Sequence, residues 1–298
     1  MHTPLLTCSA NRYTRPVIRS LCLLVLLAGC RESRPAASSN DMIHGDWSRP
    51  VEPFRIVGNI YYVGAKNIAS YLITGSAGHI LLDTGTREMV PVITNSIAKL
   101  GFKLTDVKVI LSNHAHYDHV GGHAAMKRAT GARVLVMAED APAVAAGVDM
   151  SPLGDEGWDP VRVDAELHDG ETVTLGDTSL VAILAPGHTP GCTVWTTTAR
   201  EDAKSYSIVF YGCSRPNDSV QLAGNKRFPD LIAQTRGTFR RMRTLAPDIF
   251  VTMHPEDLFA GKLDQLRANA RPHPLDDPAA WPKLLDEVER DFANHLKR

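Results

Sequence analysis

The chain has 298 residues, 44% of them hydrophobic, and a formal net charge of −1. That length holds one large domain or two small ones with a full apolar core. The near-neutral charge, with no basic run longer than Arg240-Arg241-Met242-Arg243, excludes electrostatic capture of nucleic acid as the main activity.

Residues 1–29 read as an export leader. Arg12, Arg15 and Arg19 precede the apolar run from Leu21 to Ala28, which is too short to span a bilayer. The run ends Leu27-Ala28-Gly29-Cys30 and resembles the lipobox of bacterial lipoproteins, which implies cleavage before Cys30 and a lipid anchor on it; ordinary secretory cleavage nearby is the other reading. Arg31, where Asp would retain a lipoprotein at the inner membrane, points to the outer membrane. The expected location is the periplasm, anchored to the outer membrane. Residues 30–50, with Pro35-Ala36-Ala37-Ser38-Ser39-Asn40, read as a flexible tether, and residues 51–298 as the folded domain. Loss of the leader removes Cys8 and Cys22. Cys192 and Cys213 remain, and the sequence leaves open whether they are linked.

From Phe54 the pattern is β-like. Short runs at 54–57, 60–63, 69–74 and 79–82 are punctuated by Gly58-Asn59, Gly64 and Gly75-Ser76-Ala77-Gly78. Asp83-Thr84-Gly85 follows the fourth run. Residues 88–100 read as a helix with Val92, Ile93, Ile97 and Leu100 on one face and Gly101 as its stop. Val107–Leu111 is a buried strand, a helix follows over about 119–129, then a strand over 133–137 and an Ala-rich helix near 139–146. Residues 148–160 read as a loop. A second β region spans 161–211, with strands expected at 161–163, 172–175, 180–184, 193–195 and 208–211. A helix near 230–245, a strand at 249–252 and a helix at 279–297 close the chain. Strands then helices, twice over, predict two β-sheets packed together with helices on the outer faces.

The densest chemistry is His114-Ala115-His116-Tyr117-Asp118-His119-Val120-Gly121-Gly122. Three imidazoles and a carboxylate fall within six residues at the end of a strand. In extended chain His114 and His116 point the same way, and Asp118 and His119 follow as the chain turns. Imidazole and carboxylate suit zinc. Each half of the cluster needs a further partner. His188, in Pro186-Gly187-His188-Thr189-Pro190-Gly191, and His254, in Met253-His254-Pro255, both follow strands.

With Asn59-Ile60-Tyr61-Tyr62-Val63-Gly64, Leu82-Asp83-Thr84-Gly85, the H-A-H-Y-D-H-V-G-G motif, G-H-T-P-G-C at 187–192 and Met253-His254-Pro255, the chain resembles the metallo-β-lactamase superfamily. Phe228-Pro229-Asp230-Leu231-Ile232 followed by Thr238-Phe239 is similar to its subclass B3. The resemblance implies an α/β fold, an αβ/βα four-layer sandwich. It implies one zinc ion on His114, His116 and His188, and a second on Asp118, His119 and His254. Asp83 matches a carboxylate supporting the metal shell. The implied activity is hydrolysis of the β-lactam ring amide of penicillins, cephalosporins and carbapenems by a hydroxide that two zinc ions activate, with resistance to those drugs as the outcome. Asp118, His116 and His188 are the residues expected to carry catalysis. Where many related hydrolases have a bridging Asp, this chain has Cys213-Ser214. Ser214 is expected to touch substrate, though a shift of one residue would bring Cys213 to the second zinc. The second serine and the tyrosine frequent in subclass B3 are absent here. Trp47 and Trp158 are candidates for substrate walls, and His123 for a supporting contact. A small-molecule β-lactam is the expected partner, with no nucleic acid, no membrane contact beyond the anchor on Cys30, and a monomeric protein. Another di-zinc hydrolase of the same fold, acting on a lactone or thioester, and a non-catalytic zinc-binding lipoprotein are the alternatives.

Overall fold

The structure is a computed structural model describing residues 47–298 except 155, 213–214, 256–258 and 260. The leader, Cys30, most of the tether, Cys213 and Ser214 therefore lie outside the described residues.

Seven strands form the first sheet in sequence order: β1 (Phe54–Val57), β2 (Ile60–Tyr62), β3 (Tyr71–Gly75), β4 (Gly78–Leu82), β5 (Val107–Leu111), β6 (Arg133–Met137) and β7 (Ala165–Leu167). Pairing is antiparallel up to β4 and parallel from β4 to β7. The second sheet runs in the order β12 (Ile249–Thr252), β11 (Lys204–Tyr211), β10 (Thr193–Glu201), β9 (Thr178–Leu184) and β8 (Thr172–Leu175). There only the β11–β12 pair is parallel. Both sheets are mixed, as expected.

Strand alternation builds the layers. In β4 and β5, Ile80, Leu82, Val109 and Leu111 face a core shared with Trp195, Phe210, Ile208 and Val251 of the second sheet. Their neighbours Leu81, Val107 and Ile110 face the opposite way, onto helices α1 (Val90–Lys99), α3 (His123–Thr130) and α4 (Ala141–Ala146). A strand covered on both faces is apolar on both, which is why Val109–Leu111 lacks alternation, with the exposed Lys108 the one polar position in β5. On the far side, Ile183, Val194, Val209 and Tyr211 pack on Met242 of α5 (Leu231–Met242) and on Trp281 and Leu285 of α7 (Ala280–His295). The result is helix, sheet, sheet, helix. Among the described residues no helix is long and apolar enough to cross a membrane.

Four local expectations change. The strand expected at 161–163 is irregular, and the pairing falls on β7 instead, where Leu135 and Met137 of β6 take Ala165 and Leu167 as partners. The turn at Asp202, with φ of 54°, lets β10 and β11 extend into a long hairpin that the polar run 196–207 concealed. The helix expected over 119–129 is two helices, α2 (Tyr117–Val120) and α3, parted at Gly121-Gly122. A short helix, α6 (Leu263–Arg267), is an addition.

Trp195 joins the two sheets: its side chain is fully buried in the shared core and its indole N–H donates to the Ser112 carbonyl at 3.0 Å. Trp195→Ala should cost about 3–5 kcal/mol in urea denaturation through the cavity and the orphaned carbonyl; a loss below about 1 kcal/mol would contradict this account of the core.

Candidate metal centre

Strands β5, β9 and β12 deliver the candidate ligands from their C-terminal ends. After β5 the chain bends through residues 113–116, reaches His116 with φ and ψ of −120° and 158°, and then enters α2, which carries Asp118 and His119. His188 sits in the loop between β9 and β10, and His254 two residues beyond β12. The His114 ring centroid lies 4.8 Å from that of His116, 4.5 Å from that of His188 and 3.9 Å from that of His119. His116 and His188 are 4.6 Å apart. Asp118 Oδ2 is 3.1 Å from His119 Nε2 and 3.2 Å from His254 Nε2. All six predicted residues therefore converge, although positions 114 and 254 are 140 residues apart in sequence.

Two groups of donor atoms are close enough to share an ion: His114 with His116 and His188, and His114 with Asp118 and His119, each within 4.8 Å. A tetrahedral ion with bonds near 2.1 Å separates its ligands by roughly 3.4 Å, so small movements close either group. His254 lies outside both groups; it meets the second through Asp118 Oδ2, 3.2 Å from its Nε2, and is half exposed, at 51%. The residues fit a metal on a further ground. His114 Nε2 is buried without a hydrogen-bond partner among the described residues, and such groups are rare unless something fills the gap.

Each ring is held from behind. Nδ1 of His114 meets Asn113 Oδ1 at 2.9 Å, Nδ1 of His119 meets Asp83 Oδ2 at 2.8 Å, and Nδ1 of His188 meets the Arg215 carbonyl at 2.8 Å. These contacts leave Nε2 facing the cluster. His116 is held the other way, by Nε2 on Ser151 Oγ at 2.8 Å. Asp83 is fully buried and takes the Asn113 N–H at 2.7 Å as well as His119, so it supports the cluster as the sequence implied. Asp140 does comparable work that the sequence did not reveal. Its carboxylate accepts the N–H groups of Ala115 (2.9 Å) and Gly191 (2.7 Å) and the Thr189 hydroxyl (2.7 Å). It thereby ties the His114–His116 segment to the His188 loop. A side chain on Gly191 would place its Cβ 2.4 Å from the Asp140 nitrogen, so only glycine fits there. In sequence Asp140 falls inside the Ala-rich helix expected near 139–146, and its partners lie 25 to 51 residues away.

Burial holds His114 and His116 below the usual imidazole range and His188 at about 3, with neighbouring imidazoles adding to the effect on His114 and His188. Burial also pulls on His119, but the Asp118 and Asp83 carboxylates outweigh it and push this ring up to about 10. Burial opposes the charge on Asp118 too, yet His119 and His254 keep its carboxyl well below the normal range. A pair of carboxylates around one imidazole calls for positive charge, which a divalent cation supplies.

The sequence's wall candidates are corrected. Trp158 is 5% exposed inside the core beneath the first sheet, so apolar burial accounts for it, while Trp47 is only partly buried against the same cluster. His123 bonds Thr84 Oγ1 at 2.7 Å, behind the cluster, and burial lowers it to about 3. Cys192 is disulfide-bonded; the other cysteines lie outside the described residues. An open cleft of about 490 Å³ borders the cluster, lined by His188, His254, Gly212, Arg215, Asp218 and Ser219 among others.

These shifts give stability without metal a definite pH profile. His114, His116, His123 and His188 bind fewer protons folded than unfolded, so their contribution is complete above about pH 6.5 and is lost as pH falls. His119 binds more when folded, so its contribution is complete below about pH 6.5 and is lost as pH rises toward about 10. Denaturation of chelator-treated protein should show maximal stability near neutrality and losses on both sides; a plateau down to about pH 5 would contradict the assignment.

Comparison with known proteins agrees with this geometry. The family model for the metallo-beta-lactamase superfamily matches residues 63–254. A native metallo-beta-lactamase from Legionella gormanii is 35% identical, with TM-score 0.80, covering 84% of this chain and 97% of that one. A subclass B3 metallo-beta-lactamase of Bradyrhizobium japonicum is 35% identical over 85% of this chain and 97% of that one, with TM-score 0.78. A class B3 di-zinc metallo-beta-lactamase from an Alaskan soil metagenome is 33% identical over 84% and 96%, with TM-score 0.79. Among curated proteins, a hydroxyacylglutathione hydrolase of Rhodopseudomonas palustris is 30% identical over 124 residues, 42% of this chain and 41% of that protein. The chain thus spans less than half the length of that curated relative. Residues 63–254 place the chain in the metallo-beta-lactamase superfamily, as a metal-binding hydrolase whose structural neighbours are class B3 enzymes.

Proposed function

We propose that the protein is a β-lactamase holding two zinc ions, the first on His114, His116 and His188 and the second on Asp118, His119 and His254. The observation that carries this reading is the convergence on Asp118: His254 Nε2 and His119 Nε2 both lie about 3 Å from its Oδ2. Near-complete coverage of class B3 structures at 33–35% identity supports it. When bound, zinc supplies Lewis acidity and a water with a pKa near 7.

The chain's own residues supply position and charge. Asp83 and Asn113 hold His119 and His114 at fixed angles, and Asp140 fixes the spacing between the two loops that carry His114, His116 and His188. Asp118 keeps its carboxylate ionised beside the place where an attacking water would lie, and orients it. The cleft between His188 and His254 admits a small bicyclic substrate. Arg215 is the one Lys or Arg among the described residues lining it, and is paired with Asp218 at 2.8 Å. Ser214, adjacent in sequence, is retained as the expected substrate contact. No serine nucleophile is required, and the chain carries no S-x-x-K motif. The leader and Cys30 make the protein a periplasmic lipoprotein in this reading, positioned to destroy β-lactams and confer resistance.

The matches to hydroxyacylglutathione hydrolases favour a second reading, thioester hydrolysis. The purified protein should hydrolyse a penicillin, a cephalosporin and a carbapenem at rates at least about 100-fold above those for S-lactoylglutathione, and chelator should abolish the activity. His188→Ala should empty the first site and cost at least about 100-fold in kcat/KM. Thioester turnover without β-lactam turnover would replace the first reading by the second.

A further inference from the structure

The loop between α4 and β7 brings two polar side chains to the cluster from outside the ligand set. Ser151 and Asp149 are buried, at 2% and 7% exposure. Ser151 Oγ lies 2.8 Å from His116 Nε2, and Asp149 Oδ2 lies 3.8 Å from the same nitrogen. The loop holds both in place. Asp149 Oδ1 accepts the Ser151 N–H at 2.7 Å, an Asx turn, and Ser151 Oγ accepts the Leu153 N–H at 3.1 Å. The bridge between Val148 and Gly157 closes the loop at its base.

The direction of this contact matters. His114, His119 and His188 are held by Nδ1 and offer Nε2. His116 is held by Nε2 and offers Nδ1. The Leu153 N–H takes one lone pair of the Ser151 oxygen and leaves the other open to the His116 Nε2–H, and the nearby Asp149 carboxylate favours that proton. A ring that lost this acceptor would be free to flip and to present the wrong nitrogen.

We propose that Asp149 and Ser151 are positioning residues that lock His116 with Nδ1 toward the His114–His188 side, so that loop 148–160 sets the metal affinity of that group alone. The proposal rests on the reading that His114, His116 and His188 hold a metal ion, and does not depend on the substrate. It goes beyond that reading in assigning affinity to a loop that supplies no ligand. The hydrogen bond joins a buried imidazole to a buried serine oxygen, and partners of this kind change metal affinity by roughly 10- to 100-fold when removed.

The test uses the full-length protein with Zn(II) as the probe, titrated against a competing chelator, for the parent and for Ser151→Ala, Ser151→Thr and Asp149→Ala. Ser151→Ala should weaken one of two Zn(II) equivalents by about 10- to 100-fold and leave the other unchanged, and Ser151→Thr, which keeps the hydroxyl, should restore it. Asp149→Ala should weaken the same equivalent. The His116 Nε2–H signal in proton–nitrogen NMR of the zinc-loaded parent should exchange slowly, and fast in Ser151→Ala. Unchanged affinity for both equivalents in Ser151→Ala, or equal weakening of both, would overturn the proposal. A Ser151→Thr variant no better than Ser151→Ala would do the same. Protein that shows this selective pattern yet hydrolyses no β-lactam leaves the positioning role standing and refutes the proposed substrate.

Discussion

A buried carboxylate at the end of β4 sets the geometry on which the site depends. Asp83 sits at φ of 59°, a conformation that costs a non-glycine residue roughly 1–2 kcal/mol. The strain turns the chain so that one oxygen takes the Asn113 N–H and the other His119 Nδ1, while its backbone carbonyl accepts the Ser70 hydroxyl. One side chain thus aligns the ends of β4 and β5 and fixes the ring that faces Asp118. The pair is shielded completely from water, so its electrostatics are felt at full strength.

From that point the organisation is a chain of cross-loop ties. Asn113 reaches from β5 to the Thr193 carbonyl at 2.6 Å, and Thr193 returns an N–H to the Asn113 carbonyl at 2.7 Å. Asp140 joins the first ligand loop to the second, and Ala69 donates to the Met253 carbonyl beside His254. The two sheets are clamped where the ligands emerge, and the apolar core behind them absorbs the cost of crowding imidazoles together. The three rings around His114 gain their fixed spacing from these ties rather than from local helix or strand geometry.

The sequence showed a good deal of this, for identifiable reasons. Strands such as Val107–Leu111 and the C-terminal helix face of Trp281, Leu285, Val288 and Phe292 carry their environment in their own periodicity. The cluster from His114 to His119 is legible because four donors lie within six residues. Contacts made across long separations are not legible. Asp140 reads as part of an Ala-rich helix and Ser151 as a loop serine, because nothing local marks a partner many residues away. Val161–Val163 has the composition of a strand, but pairing is decided by what β6 offers, and β6 takes Ala165–Leu167. Trp158 reads in sequence as a candidate substrate wall in the 148–160 loop, and burial in the helix-side core claims it.

The central claim is that five imidazoles and one aspartate form two adjoining cages. Anomalous diffraction at the zinc absorption edge from crystals of the zinc-loaded protein tests it most directly. Two peaks are expected, one bonded to His114, His116 and His188 and the other to Asp118, His119 and His254, at distances of about 2.0–2.2 Å. A single peak, or a second peak not bonded to His254, would contradict it.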